Sequence, residues 1–400
     1  LEEGANLASV LPQHFPLYTD LLETSGYHVG FDGKGWAPGQ LKPVGRTRNP
    51  AGRSFADFAA FLANRPDGTP FCFWHGAHEP HRPYQPGIGI RSGIDPASMV
   101  VPPYLEDTPA TRSDMADYRY YAEAFDRQAG AILDALEKAG ELDNTLVVMT
   151  GDNGWPFPRG KATLYDAGTH VPLAIRYPRR VPAGMIVRDP VSLVDLAATF
   201  LELGGVSIPI AMDSRSLLTL FGPRARPPRS YVLLGRERHM DGGSVPGQGY
   251  PSRALRTGTH LYIRNFRPDR YPAGIPGKLS VTANEIATDT YAAFADIDAG
   301  QAKRDLVLGD TDTARQVRAL ATGKRPAREL YDVRNDPYQL RNLADDPSSA
   351  KLVARLDRFL MRDLARTGDP RIVEGADHDL FDHYPSYSDP GFGRPASLGQ

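Results

Sequence analysis

Cysteine is almost missing from this chain, with Cys72 the single example in 400 residues. An internal disulfide is therefore excluded, and pairing gives no reading of the redox compartment. Cys72 lies inside Phe71-Cys72-Phe73-Trp74 and reads as a buried structural thiol rather than a reactive one. No run is long and apolar enough to span a membrane, so no membrane partner is expected. The opening Leu1-Glu2-Glu3 lacks the basic, then apolar, pattern of a signal peptide. The chain also has no initiating Met, so its start is read as a cut end, and any export signal would lie before it. Net charge is scarce too: 46 Lys and Arg against 48 Asp and Glu leave -2. Without a large basic field, nucleic acid is not the expected partner.

Glycine and proline, by contrast, are plentiful at 39 and 36, which implies many shaped loops, and loops carry sites. Four hundred residues suit a large α/β core with a second, smaller unit. Phe15 to Gly26 reads as a short helix and Tyr27 to Phe31 as a strand. Phe55 to Leu62 is a second helix that leads into the strand Pro70 to Trp74. Asp114 to Ala139 has helical spacing through Met115, Tyr118, Ala122, Phe125, Ile132 and Leu136 and stops at Gly140. It delivers the chain to an apolar run from Leu146. Val171 to Tyr177 is another strand, and Val191 to Leu203 a helix. This alternation predicts a mostly parallel sheet covered on both faces. Beyond the Pro/Arg-rich stretch 221–228, Tyr231 to Leu234, Ser252 to Arg256, His260 to Arg264 and Glu329 to Val333 read as short antiparallel strands, before a helix from about Ser349 to Leu364. The expected organisation is a catalytic α/β domain over 1–225, an α+β lobe over 226–368 and a Pro/Gly/Ser-rich tail over 369–400.

Four constellations follow the proposed strands. Leu146-Val147-Val148-Met149 ends on Thr150-Gly151-Asp152-Asn153-Gly154, and ligands in open α/β sheets gather at the carboxyl ends of strands. Asp152 and Asn153 offer hard oxygens suited to Ca²⁺ or Mg²⁺, although Asp-Asn-Gly is equally a turn tripeptide. Lys34, between Gly33 and Gly35, is either a ligand-facing ammonium or a surface lysine. His78-Glu79-Pro80-His81-Arg82-Pro83 sets two histidines in a proline-stiffened loop, fit for proton transfer, for a metal or for solvent. Arg159-Gly160-Lys161 would bring a cation to a bound oxyanion, or is simply solvated.

In order, Gly33-Lys34-Gly35-Trp36, His78-Glu79-Pro80-His81-Arg82-Pro83, Thr150-Gly151-Asp152-Asn153-Gly154 with Pro158-Arg159-Gly160-Lys161, and Val191-Ser192-Leu193-Val194-Asp195-Leu196 resemble the successive motifs of the sulfatase family. Glu329-Leu330-Tyr331-Asp332-Val333 through Asn342-Leu343 resembles the closing strand and turn of sulfatase C-terminal lobes. Pro156-Phe157-Pro158 and the His78 to Pro83 loop most resemble the heparan N-sulfatase (N-sulfoglucosamine sulfohydrolase) branch. The resemblance implies an α/β, alkaline-phosphatase-like three-layer sandwich with a smaller C-terminal antiparallel-sheet lobe. It also implies a hydrolase that removes sulfate from a sulfated saccharide, and a periplasmic or extracellular location. Asp152 and Asn153 match calcium ligands, with Mg²⁺ as the other hard ion; Lys34 and Lys161 match the cations that hold sulfate oxygens; His81 matches the proton donor. His78, Arg238 and His239 are the expected substrate contacts.

The pattern is broken in three places. The family's formylglycine nucleophile, made from a Cys or Ser in a Cys/Ser-x-Pro-Ser/Thr-x-Arg-like motif, has no counterpart here; Cys72 lacks the Pro and Arg, and Gly249-Tyr250-Pro251-Ser252-Arg253 offers only a glycine. The paired aspartates of the metal shell are missing, because the only Asp-Asp is Asp345-Asp346. Trp36 stands where many sulfatases have a histidine. The expectation is an N-terminally incomplete sulfatase, inactive as given, with formylglycine confined to the complete protein. Two alternatives stay open: a phosphoesterase of the alkaline phosphatase superfamily, and a glycan-binding remnant without catalysis.

Overall fold

The structure, a computed structural model, describes residues 11–36, 39, 41, 45–221, 225–239, 249–277 and 281–375. In the first lobe the elements run α1 (Tyr18–Thr24), β1 (His28–Gly33), β2 (Arg53–Ser54), α2 (Phe58–Ala63), β3 (Phe71–Gly76), α3 (Ile88–Arg91), α4 (Pro109–Lys138), β4 (Val147–Thr150), α5 (Asp166–Thr169), β5 (Leu173–Arg176) and α6 (Asp195–Leu203). Strands β2, β1 and β3 form a parallel sheet in that order, with His28 opposite Phe71 and Gly33 opposite Gly76. One face packs on α2 and α4 through Phe58, Phe61, Phe71, Phe73, Ile132 and Leu136. The other packs on α1 and α6 through Leu22, Val29, Cys72 and Leu201. Both faces of the strands are thus covered, as the apolar runs require.

Helix α4 starts where its sequence says it should. The Thr108 side chain accepts the Thr111 N–H, and Pro109 occupies the first turn, where a missing N–H is harmless. The sheet is parallel over β2, β1 and β3, as expected, and one pairing departs from that pattern. Strand β5 pairs antiparallel to β4, with Val147 opposite Arg176, and among the described residues β3 and β4 share no ladder. The larger sheet is therefore in two hydrogen-bonded parts, although Phe71, Phe73 and Val147 meet in one cluster.

In the second lobe β6 (Tyr231–Arg236), β7 (Ser252–Thr257), β8 (His260–Asn265) and β9 (Arg328–Asp332) form a four-stranded antiparallel sheet. Alternation sorts its side chains. Leu255, Tyr262 and Leu330 face α10 (Ala350–Arg366). Ala254, Leu261 and Ile263 face Leu164 and Tyr165, just beyond Lys161. The sequence analysis places no element between Arg264 and Glu329, yet α7 (Ala283–Thr288), α8 (Gln301–Leu308) and α9 (Asp312–Thr322) lie there. Their alanine- and charge-rich turns give weak apolar periodicity. The expected tail also begins too early: α11 (Pro370–Val373) packs on α10, and Asp369 and Arg371 are buried against Arg253 and Glu237. Residues 376–400 lie outside the described residues.

One buried ion pair ties these parts together. Arg82 donates to both Asp114 oxygens, at 2.8 and 2.9 Å, and Asp114 also accepts the Ala302 N–H at 3.0 Å from the start of α8. The guanidinium lies over the Tyr84 and Phe157 rings, 4.4 and 4.9 Å from their centroids. Removing one member of a buried pair strands a charge, which typically costs about 3–5 kcal/mol. Asp114→Ala is expected to lose stability on that scale in denaturant titration, and Asp114→Ala with Arg82→Met to lose less; equal losses would contradict the pair's role. Phe61, fully buried among Phe55, Phe71 and Phe73, is expected to cost about 3–5 kcal/mol as Phe61→Ala. A loss below about 1 kcal/mol in the same titration would contradict the cluster's place in the core.

Candidate active site

The parallel pairing of β1 and β3 brings the two loops that follow them side by side. Gly33 has φ +62°, and a Cβ there would meet the Gly76 carbonyl oxygen at 2.4 Å, so this strand end needs glycine. The next residue, Lys34, donates its backbone N–H to Gly76 O at 2.6 Å, and Trp74 Nε1 donates to Lys34 O at 2.9 Å. Lys34 is therefore pinned by its backbone while its side chain, about one third exposed, extends beyond the strand end. Lys34 Nζ lies 3.5 Å from Asp152 Oδ2, so the end of β4 meets the end of β1.

A second pair forms beside the histidine loop. His81 Nδ1 lies 2.5 Å from the Arg82 carbonyl oxygen, which fixes the proton on Nδ1 and leaves Nε2 facing Lys161 Nζ at 3.4 Å. Lys161 also pairs with Asp298 of the second lobe at 3.1 Å. The two ion pairs differ in environment. Lys161 and Asp298 are 14% and 13% exposed at the side chain, whereas Asp152 is 75% exposed, so water screens its attraction to Lys34 to about 1 kcal/mol or less. Asp152 is thus open to other charges.

Other expected site residues fall differently. Asn153 is exposed beside Asp152, and His78 is exposed, its carbonyl oxygen taking the His81 N–H. Arg159 turns away from the site: it is buried, donates to Leu320 O and Gln339 O, and stacks over Tyr165 at 3.8 Å. Only Lys161 of that motif faces His81. His239 Nδ1 lies 3.3 Å from Asp296, but Arg238 is buried and the recess beside Lys161 is lined instead by Arg236. Of Lys34, His81, Asp152, Asn153 and Lys161, that recess touches Lys161 alone.

The structure adds groups that sequence reasoning missed. His75 Nδ1 lies 2.5 Å from Asp32 Oδ1 across the β1–β3 ladder, and His75 Nε2 lies 3.1 Å from Gln128 Oε1. Gln128 in turn donates to Glu79 at 3.0 Å, which holds the Glu79 carboxyl below its usual range. This chain of contacts braces the His78 to Pro83 loop from below. Its signal was present in the sequence as a polar residue at the end of each apolar strand, Phe31-Asp32 and Trp74-His75. Asp298 gave no comparable signal, since it sits in an irregular segment.

Asp152 and Asn153 supply hard oxygens, but no group of three or more His, Cys, Asp or Glu able to hold a metal occurs among the described residues. Calcium needs about six to eight oxygens, so the described residues do not make its shell. Cys72 packs beside Leu22 and Val29, where burial pushes its thiol up to about 12, and it is no nucleophile at neutral pH.

Residues 47–206 match the Sulfatase family model. An ulvan-active sulfatase of Formosa agariphila is 30% identical over 276 residues, 67% of this chain and 41% of its own length. Human N-sulphoglucosamine sulphohydrolase is 30% identical over 335 residues, 76% of this chain and 62% of its own length. The chain thus spans about 41% to 62% of these two relatives. Among solved structures, that of BT4656 in complex with D-glucosamine-2-N,6-O-disulfate has TM-score 0.58 and 18% identity, covering 90% of this chain and 84% of its own. A 2-O GAG sulfatase, BT1596, has TM-score 0.57 and 17% identity, covering 98% and 85%. These neighbours share the α/β fold with its antiparallel second lobe. On these matches, the chain belongs to the sulfatase family.

Proposed function

We propose that this chain forms the sugar- and sulfate-holding part of a calcium-dependent sulfatase that acts on a glucosamine-like sugar, with the N-sulfo group favoured over an O-sulfate. The observation that carries the reading is the pairing of side chains from three loops, those after β1, β3 and β4: Lys34 with Asp152, and Lys161 with His81. Sulfuryl transfer builds negative charge on the equatorial oxygens and on the leaving atom. Lys34 and Lys161 answer the first demand with ammonium groups. His81 answers the second: with Nδ1–H held by the Arg82 carbonyl, Nε2 is the nitrogen that carries a proton to the leaving nitrogen or oxygen. The N-sulfo preference is supported by the His78 to Pro83 loop and by likeness to the human N-sulphoglucosamine sulphohydrolase.

In this reading the nucleophile and the remaining calcium oxygens are not among the residues described, and the 400-residue chain alone binds without turning over. Purified chain incubated with glucosamine N-sulfate or glucosamine 6-sulfate is expected to release no sulfate, and steady catalytic release would overturn that part. Calcium at 1 mM, about the concentration of the weaker natural sites, is expected to leave the melting temperature unchanged. A calorimetric Kd below about 10 μM that disappears in Asp152→Ala would contradict it. Charge-assisted hydrogen bonds are worth about 1.5–3 kcal/mol, so Lys34→Ala and Lys161→Ala should each weaken glucosamine N-sulfate about tenfold or more. Wild-type affinity in both variants would remove the basis for the assignment.

A further inference from the structure

A recess, part of it open to solvent, runs from Lys161 into the second lobe and is not used by the chemistry above. Four cationic residues line it, Arg159, Lys161, Arg236 and Arg325, against two carboxylates, Asp296 and Glu329. The carboxylates are already engaged. Glu329 accepts from the Tyr165 and Tyr331 hydroxyls and from Asn265 Nδ2, at 2.6 to 2.7 Å, and Asp296 pairs with Arg236 at 2.5 Å. Lys161 is likewise paired with Asp298 just beyond the wall, so one positive charge remains in excess on a partly dry wall.

Three donors on this wall lack a partner, Arg159 Nε, Arg236 Nε and Tyr250 Oη. Tyr250 is 4% exposed and its hydroxyl has no hydrogen-bond partner; Arg236 is 10% exposed at the side chain and its Nε has none. The Arg236 guanidinium lies 5.8 Å from the centroid of the Tyr250 ring, so the two groups share one region. Folded proteins leave few such groups unpaired, and those they leave call for an acceptor. Water would satisfy a donor without answering the excess charge, whereas an oxyanion does both.

We propose that this recess is a second anion subsite, in which Arg236 Nε and Tyr250 Oη hold a non-reacting sulfate or carboxylate of the same saccharide whose reacting sulfo group faces Lys161. The proposal rests on the sulfated-sugar reading and deepens it: the substrate carries at least two anionic groups. Lys161, lining the recess and contacting His81, sits between the two. Arg236, the last residue of β6, lines the recess in the part expected of Arg238, which lies two residues beyond the strand.

Calorimetry on the intact chain with three probes tests this: glucosamine N-sulfate, glucosamine N,6-O-disulfate, and a disaccharide of glucosamine N-sulfate and a uronate. Wild-type protein is expected to bind at least one doubly anionic probe about tenfold tighter than the singly anionic one. Arg236→Gln should abolish that advantage, and Tyr250→Phe, nearly the same shape, should reduce it about threefold; neither should change binding of glucosamine N-sulfate. Which doubly anionic probe gains identifies sulfate or carboxylate. Equal affinity for all three probes, or variants that weaken all three alike, would overturn the subsite while leaving the sulfated-sugar reading intact. No saccharide binding at all, and no Arg236-dependent binding of inorganic sulfate, would overturn both. A wild-type melting temperature in Tyr250→Phe keeps misfolding out of the comparison.

Discussion

A guanidinium removed from water must find fixed acceptors, and the Arg82 guanidinium finds them in Asp114. That pair places the histidine loop on α4, and Asp114 reaches on to the first turn of α8 through the Ala302 N–H. Three segments far apart in sequence therefore converge on one carboxylate. Because Arg82 directly follows His81, and its carbonyl oxygen fixes the His81 ring, the same residue anchors the loop through its side chain and sets through its backbone which imidazole nitrogen faces Lys161. The second lobe completes the arrangement from the other side. Its sheet packs on Leu164 and Tyr165, and its Asp298 holds the Lys161 ammonium.

Burial separates the roles of the two lysines. Lys161 is enclosed and paired with a carboxylate equally enclosed, so its position is set before a ligand arrives, which lowers the ordering cost of binding. Lys34 is pinned through its backbone, with a side chain loosely paired to an exposed Asp152. A bare carboxylate beside an anion repels it until a cation neutralises it. Asp152 is exposed, and among the described residues no group of three or more His, Cys, Asp or Glu that could hold such a cation is found.

The fold was legible where periodicity was strong. Strands β1 and β3, helix α4 and the four strands of the second lobe all lie where apolar spacing and turn residues put them. The direction of β5 was not, because an apolar strand reads the same whichever way its neighbour runs. Helices α7 to α9 escaped notice because Ala and charged residues dilute their apolar face. At the site, residues carried by motifs emerged by name, and Lys34, His81, Asp152 and Lys161 do lie in contacting pairs. The residues that hold them, Asp114, Asp298 and the Asp32–His75 pair, act through tertiary contact, and no local pattern in a single sequence marks such partners.

The central claim is that Lys34, Lys161 and His81 address one oxyanion. A crystal structure of the chain soaked with glucosamine N-sulfate tests it most directly. The expected result is a sulfo group within hydrogen-bonding distance of Lys34 Nζ and Lys161 Nζ together, with His81 Nε2 directed at the sugar nitrogen. A sulfo group bound at only one lysine, or elsewhere on the surface, would contradict the account.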